Sequence, residues 1–199
     1  MGQLIELPQP ASSIAKWQET AASARSYLAS AEALKMLEVW ALCGRGDQPP
    51  KREDLKPETI PALLPDIWLM DYLPETRQLR YRLEGENIRA RHDRSLVGQC
   101  LEDIVAPDAL EKVRHYFLAC VEAPAITMVV GRLYHEWRQP GYGERLLLPL
   151  FGAEGKAEGL VGITAYKQTF ANRALAEERS KRITCILPLD GSKPEEQSE

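Results

Sequence analysis

Three apolar segments in the second half of the chain, AITMVVGRLYHEW, ERLLLPLFG and GLVGITAYKQ, are separated only by RQPGYG and AEGKAE. Connectors this short join strands running in opposite directions, because a parallel return needs a crossover of roughly a dozen residues. An antiparallel sheet is therefore the first expectation. A second hairpin precedes these three. IWLMDY (67–72) reads as a buried strand, and QLRYRLEG follows it after the turn LPETR. Leu79, Tyr81 and Leu83 alternate with Arg80, Arg82 and Glu84, the period of two that places one face on a core and the other in water.

The remaining segments read as helices and loops. GENIRARHDRSLVGQCLEDIV suits short helical turns between loops. Pro107 stands at the first helical position of DALEKVRHYFLACVEA, whose apolar side carries Leu110, Val113, Phe117, Leu118 and Val121. From Ala11 to Cys43 there is no Gly or Pro, and Ser12 and Ser13 stand where an N-cap belongs, which predicts one long helix or two in tandem. Ile14, Trp17, Ala21, Ala24, Leu28 and Ala31 recur at spacings of three and four, the seam of a short coiled coil. After Ala31 the register slips: Leu34, Leu37 and Ala41 continue one stripe while Met36, Val39, Trp40 and Cys43 widen it. Two readings follow, a helix lying on its own domain or one that also meets a partner helix. GRGDQPPKREDLKPET breaks the helix as a loop. Past Phe170 come a polar helix-like run, the apolar ITCILPL, and a terminal GSKPEEQSE expected to be disordered.

This order predicts an α+β fold: a five-stranded antiparallel sheet with helices on one face, preceded by a long N-terminal helix. The expected divisions are an N-terminal helical extension (1–45), a linker (46–62), the main domain (63–168) and a tail (169–199). With 199 residues the chain has room for one domain of about 100 to 150 residues plus extensions.

Charge and motif content narrow the function. A net charge of −4 argues against a general nucleic-acid binder, which needs a basic surface. No run of eighteen apolar residues exists, and MGQLIELPQP lacks the regions of a secretory signal, so a cytoplasmic location is expected. Glu6 stands where a myristoylation signal has Ser or Thr. Cys43, Cys100, Cys120 and Cys185 show no metal-finger spacing and read as free thiols, so no metal site is expected. GxSxG, HExxH, Walker A and dinucleotide fingerprints are absent, and GYGE (141–144) reads as a hairpin turn. Glu84 with Glu86, and Glu102 with Asp103, have the residue types of acid/base pairs, but such pairs are common on loops and caps. Six arginines between Arg77 and Arg94 form the one basic concentration, either a wet face or a docking surface for an acidic group.

LLPDIWLMDY, RYRLEGENIRARHDRSLVGQCLEDI and ERLLLPLFG followed by GLVGITAY together resemble the PAS domain family, and more narrowly its compact bacterial members, over roughly Leu63 to Lys167. The helix ending EVWALCGRG also suits that group. The resemblance implies a non-catalytic sensory or protein-interaction module in bacterial signalling. A small apolar ligand would lie between sheet and short helices, with Leu83, Ile88, Leu96, Met128, Leu148 and Ile163 as pocket candidates. The signal would pass to a dimeric N-terminal helix through Ile14, Trp17, Leu28, Leu34 and Leu37, and outward to a signalling partner.

No cofactor is expected. In RHDRSLVGQC, Gly98 permits a tight turn, and Cys100 reads as a buried apolar residue beside Leu96, Leu101 and Ile104 rather than as the reactive cysteine of a flavin-binding relative. His115, on the long helix where haem-binding relatives place an axial ligand, is the cofactor-binding candidate of the rival reading: a haem sensor or a small enzyme. Its rotation of about 200° from Phe117 turns it away from the core side. His92 and His135 read as surface histidines.

Overall fold

The hairpin and the three apolar segments after it form strands β1 (Ile67–Leu73), β2 (Gln78–Glu84), β3 (Ala125–Arg132), β4 (Tyr142–Phe151) and β5 (Ala157–Lys167). Two more, β6 (Ile183–Pro188) and β7 (Glu195–Ser198), come from the tail. All pair antiparallel, in the order β2-β1-β5-β4-β3-β6-β7. The structure is a computed structural model and describes residues 15–92, 94–133, 142–167 and 182–198. The sheet is thus wider than the five strands expected. β6 covers the open edge of β3, and the terminal segment expected to be disordered holds β7. Every side chain of β7 is exposed, so its backbone ladder rather than burial keeps it in place. GYGE also departs from expectation, since Tyr142, Gly143 and Glu144 already belong to β4.

Burial of β4 explains the layers. From Gly143 to Phe151 every residue is buried, so both faces of the sheet need cover. Leu146, Leu148 and Leu150 join Ile126, Met128, Val161 and Ile163 on one face. Leu147 joins Val129, Leu160, Trp68 and Met70 on the other. Helices α1 (Lys16–Ala24) and α2 (Ala31–Cys43) cover the first face; α3 (Glu86–His92) and α4 (Pro107–Glu122) cover the second. The inserted helices α3 and α4 share one face as expected, and the N-terminal pair covers the other, which makes a three-layer arrangement.

α1 and α2 are two helices in tandem. A 3-10 turn at Arg25–Tyr27 ends the first, and Ser30 caps the second by accepting a hydrogen bond from Ala33 N at 3.2 Å. The register slip after Ala31 reports this break. Trp17, Leu28 and Leu37 are buried on the sheet, and Leu34 is half-buried against them. The expectation that these four form a dimer seam is corrected, because the same stripe is occupied within the protomer; Ile14 lies outside the described residues. Trp17 and Trp40 meet edge to face at 5.7 Å, and each indole N–H is satisfied, Trp40 by Pro149 O at 2.9 Å and Trp17 by Gly46 O at 3.1 Å.

The segment between α2 and β1 runs along the sheet. Phe151 N donates to Pro50 O at 3.0 Å, and Arg52 pairs with Asp71 of β1 at 2.6 Å.

Candidate functional site: the α3–α4 face of the sheet

Between the second sheet face and α3–α4 the apolar half is filled. Trp68 stacks on Phe117 at 5.5 Å, tilts against Tyr81 at 5.8 Å, and donates its indole N–H to Thr164 Oγ1 at 3.1 Å. Gly162 is required beneath it, since a Cβ there would collide with the Trp68 ring. Ile88, Leu96, Leu101, Val113 and Cys120 complete this half.

The other end of the same face is polar. On β4, Arg145 is only 9% exposed and donates from Nη1 to Tyr116 OH at 3.4 Å. The guanidinium of Arg91, near the end of α3, lies 3.2 Å from the centroid of the Tyr166 ring. That of Arg182, just before β6, stands 5.4 Å from the centre of the Tyr116 ring. His92 is 5% exposed, and burial first, then the Arg145 charge, push its imidazole down to about 4. At neutral pH it is therefore an uncharged hydrogen-bonding group. Glu84 acts on it in the opposite sense, but its oxygens are taken by Ser95 Oγ at 2.6 Å and Leu96 N at 2.8 Å.

Of the expected pocket residues, Ile88 and Leu96 lie on this face, whereas Met128, Leu148 and Ile163 belong to the core under α1–α2. The six therefore do not converge. Leu83 is 41% exposed, a correction whose cause is visible in the ladder. Between Leu69 and Met70 the partner jumps from Leu83 to Tyr81, a bulge that sends Leu83 to the opposite face from Tyr81. His115 points outward with its side chain 52% exposed and Nε2 3.1 Å from Glu195 Oε1 of β7, so it faces the sheet edge and not the interior. His92, expected at the surface, is buried. Cys100 is only half-buried, in a bridge to Arg80, while Gly98 has the expected left-handed turn at φ 86. His135 lies outside the described residues.

Most of the basic concentration is structural: Arg77 makes two 2.8 Å contacts to Glu122, Arg82 stands 3.7 Å from Asp71, and Arg94 donates to Asp103 O at 2.9 Å. Sequence reasoning missed Arg145, Tyr116, Tyr166 and Arg182. One signal was present: Glu144 and Arg145 are adjacent charges at the head of a run too apolar to be a half-exposed strand.

A sheet core of order β2-β1-β5-β4-β3, with its helices inserted between the two hairpins, defines a small α+β domain of the sensory class. The chain belongs to the PAS domain family, whose model matches residues 28–165. That match takes in α2 and the following segment, which the sequence had set apart as extension and linker. No curated protein matches the chain. Among the described residues no helix is long and apolar enough to cross a membrane, and no group of three or more His, Cys, Asp or Glu is placed to hold a metal ion.

Proposed function

We propose that this PAS domain is a non-catalytic sensory module of a cytoplasmic signalling system. Occupancy of the α3–α4 face alters how α1 and α2 lie on the opposite face. The observation that carries this reading is a pair of neighbours in β4. Arg145 faces α4, while Glu144, 5% exposed, faces the start of α2 and accepts from Ala29 N at 3.0 Å and Ser30 N at 2.8 Å. Both backbone donors lie in the break between α1 and α2. A displacement of β4 therefore acts on the joint of the two helices, with one peptide unit in between.

The output partner, a second copy or another signalling protein, meets the outer side of this helical layer, where Tyr27 and Leu42 are exposed. Hydrogen exchange tests the coupling. Tyr116→Phe, which removes one acceptor of Arg145, should raise exchange of the Ala29 and Ser30 amides several-fold while amides in β5 keep their rates. Unchanged Ala29 and Ser30 amides would refute the reading. Light scattering of the full chain and of Leu42→Glu reports whether self-association uses the outer side.

A further inference from the structure

Helices α1 and α2 leave part of their own face of the sheet bare. α1 lies on β3 and β6, and α2 on β4 and β5, so the margin at β2 lies beyond them. The segment after α2 meets β1 next to that margin, where Arg52 pairs with Asp71. Outside it, the outward face of β2 carries Arg80, Arg82 and, through the bulge, Leu83. All three are exposed, Arg82 with 61% of its side chain. Two more exposed aliphatic residues border this strip. The carbonyl of Leu64 lies against Gly85, two residues past Leu83. Val97 stands between Leu96, whose N–H meets Glu84, and Gly98, whose N–H meets Tyr81 O. Three of the six exposed large hydrophobic residues among the described ones thus gather at one margin of the sheet.

Charge along this strip is unbalanced. Arg52 and Arg82 share the single carboxylate of Asp71, at 2.6 Å and 3.7 Å, and Arg80 forms no ion pair among the described residues. Neighbouring carboxylates are engaged elsewhere. Glu84 accepts from Ser95 Oγ and Leu96 N, Asp103 accepts from Cys100 N at 2.8 Å, and Glu102 pairs with Arg114 at 3.0 Å. In a chain of net charge −4, this margin is locally positive. Its cations are all arginine, since no lysine occurs between Lys56 and Lys112. Arginine forks match carboxylates in plane, and protein interfaces are enriched in arginine and depleted in lysine.

We propose that this margin docks an acidic segment of a partner protein. Two carboxylates of the segment would meet Arg80 and Arg82, and an aliphatic side chain beside them would cover Leu83. Charge complementarity selects this occupant. A nucleic acid would bring its dense phosphates against an otherwise acidic chain and would gain nothing from Leu83. The strand edge is not what binds, because Gly98 and Gln99 already hold Tyr81 there. Docking runs through side chains on the face of β2. This surface goes beyond the coupling through Glu144 and does not rest on it.

The test is fluorescence anisotropy of a labelled acidic peptide, EELEELEELEEL, with the full chain. The peptide should bind, and raising NaCl from about 50 mM to about 500 mM should weaken it at least tenfold. Arg80→Glu together with Arg82→Glu should abolish binding, and Leu83→Asp should weaken it several-fold. Lys156→Glu, between β4 and β5 with its side chain 83% exposed, should leave it unchanged. Amide chemical shifts of the unsubstituted chain supply a measurement free of variants: the peptide should move those of Arg80 to Leu83. Four results overturn the proposal: the acidic peptide does not bind, the lysine counterpart KKLKKLKKLKKL or duplex DNA binds as tightly, binding survives both arginine substitutions, or the shifts fall only on other elements.

Discussion

The two faces of the sheet are built on different terms. Under α1–α2 the core is apolar, both tryptophans have satisfied N–H groups, and Glu144 serves the backbone of its own chain. Under α3–α4 half the surface is an aromatic stack, and the other half gathers guanidinium groups, a neutral histidine and two phenols around paired glycines. One face is closed by apolar packing; the other ends in buried charged and polar groups held by hydrogen-bond and ring contacts. The first kind of face rests on apolar packing, and the second on the pairing of its polar groups.

Four substitutions or conditions sharpen that contrast. Trp40→Ala removes the largest side chain of the closed face and the donor to Pro149 O; about 3–5 kcal/mol of stability should be lost, read by denaturant unfolding. A loss under about 1 kcal/mol would mean that the closed face is no stability core. Glu144→Ala leaves Ala29 N and Ser30 N without their acceptor, which should cost about 2 kcal/mol and raise their exchange while β1 stays protected. His92 supplies a pH signature of the polar face. Its folded value of about 4 lies below the ordinary 6.5, so the unfolded chain binds the extra proton first. Stability is full above about pH 6.5 and falls as pH drops toward about 4. On that basis roughly 2 kcal/mol should disappear between about pH 7 and pH 5, and His92→Gln should flatten that slope. The smallest effect is expected at His115→Ala, which removes an exposed contact to Glu195 and should cost less than about 1 kcal/mol. A larger cost would show that β7 is clamped by a side chain as well as by its ladder.

The sheet core was legible because short connectors between apolar segments leave one strand direction open. The tandem helices were legible in part, as the slip after Ala31 records where Ser30 restarts the helix. β7 was not, since EEQS has no burial pattern and its place depends on β6 offering a free ladder edge. The site was obscured for a different reason. Pocket candidates chosen by alternation assume uniform parity, and the bulge in β2 reverses it for Leu83. The parity of β3, β4 and β5 places Met128, Leu148 and Ile163 beneath α1–α2, a layer that a one-faced sheet does not contain. Arg145 and His92 were hidden because charged and polar residues are read as exposed unless their partners are known, and those partners come from four separate elements.

One further consequence follows from how the sheet ends. On one margin, Gly98 and Gln99 hydrogen-bond to Tyr81 and cover β2 there; on the other, β7 presents Glu195 and Glu196 to solvent. Neither border invites another β-strand, one being capped and the other repelling its own likeness. Continuous fibre-like stacking of copies through the sheet edges is thereby discouraged.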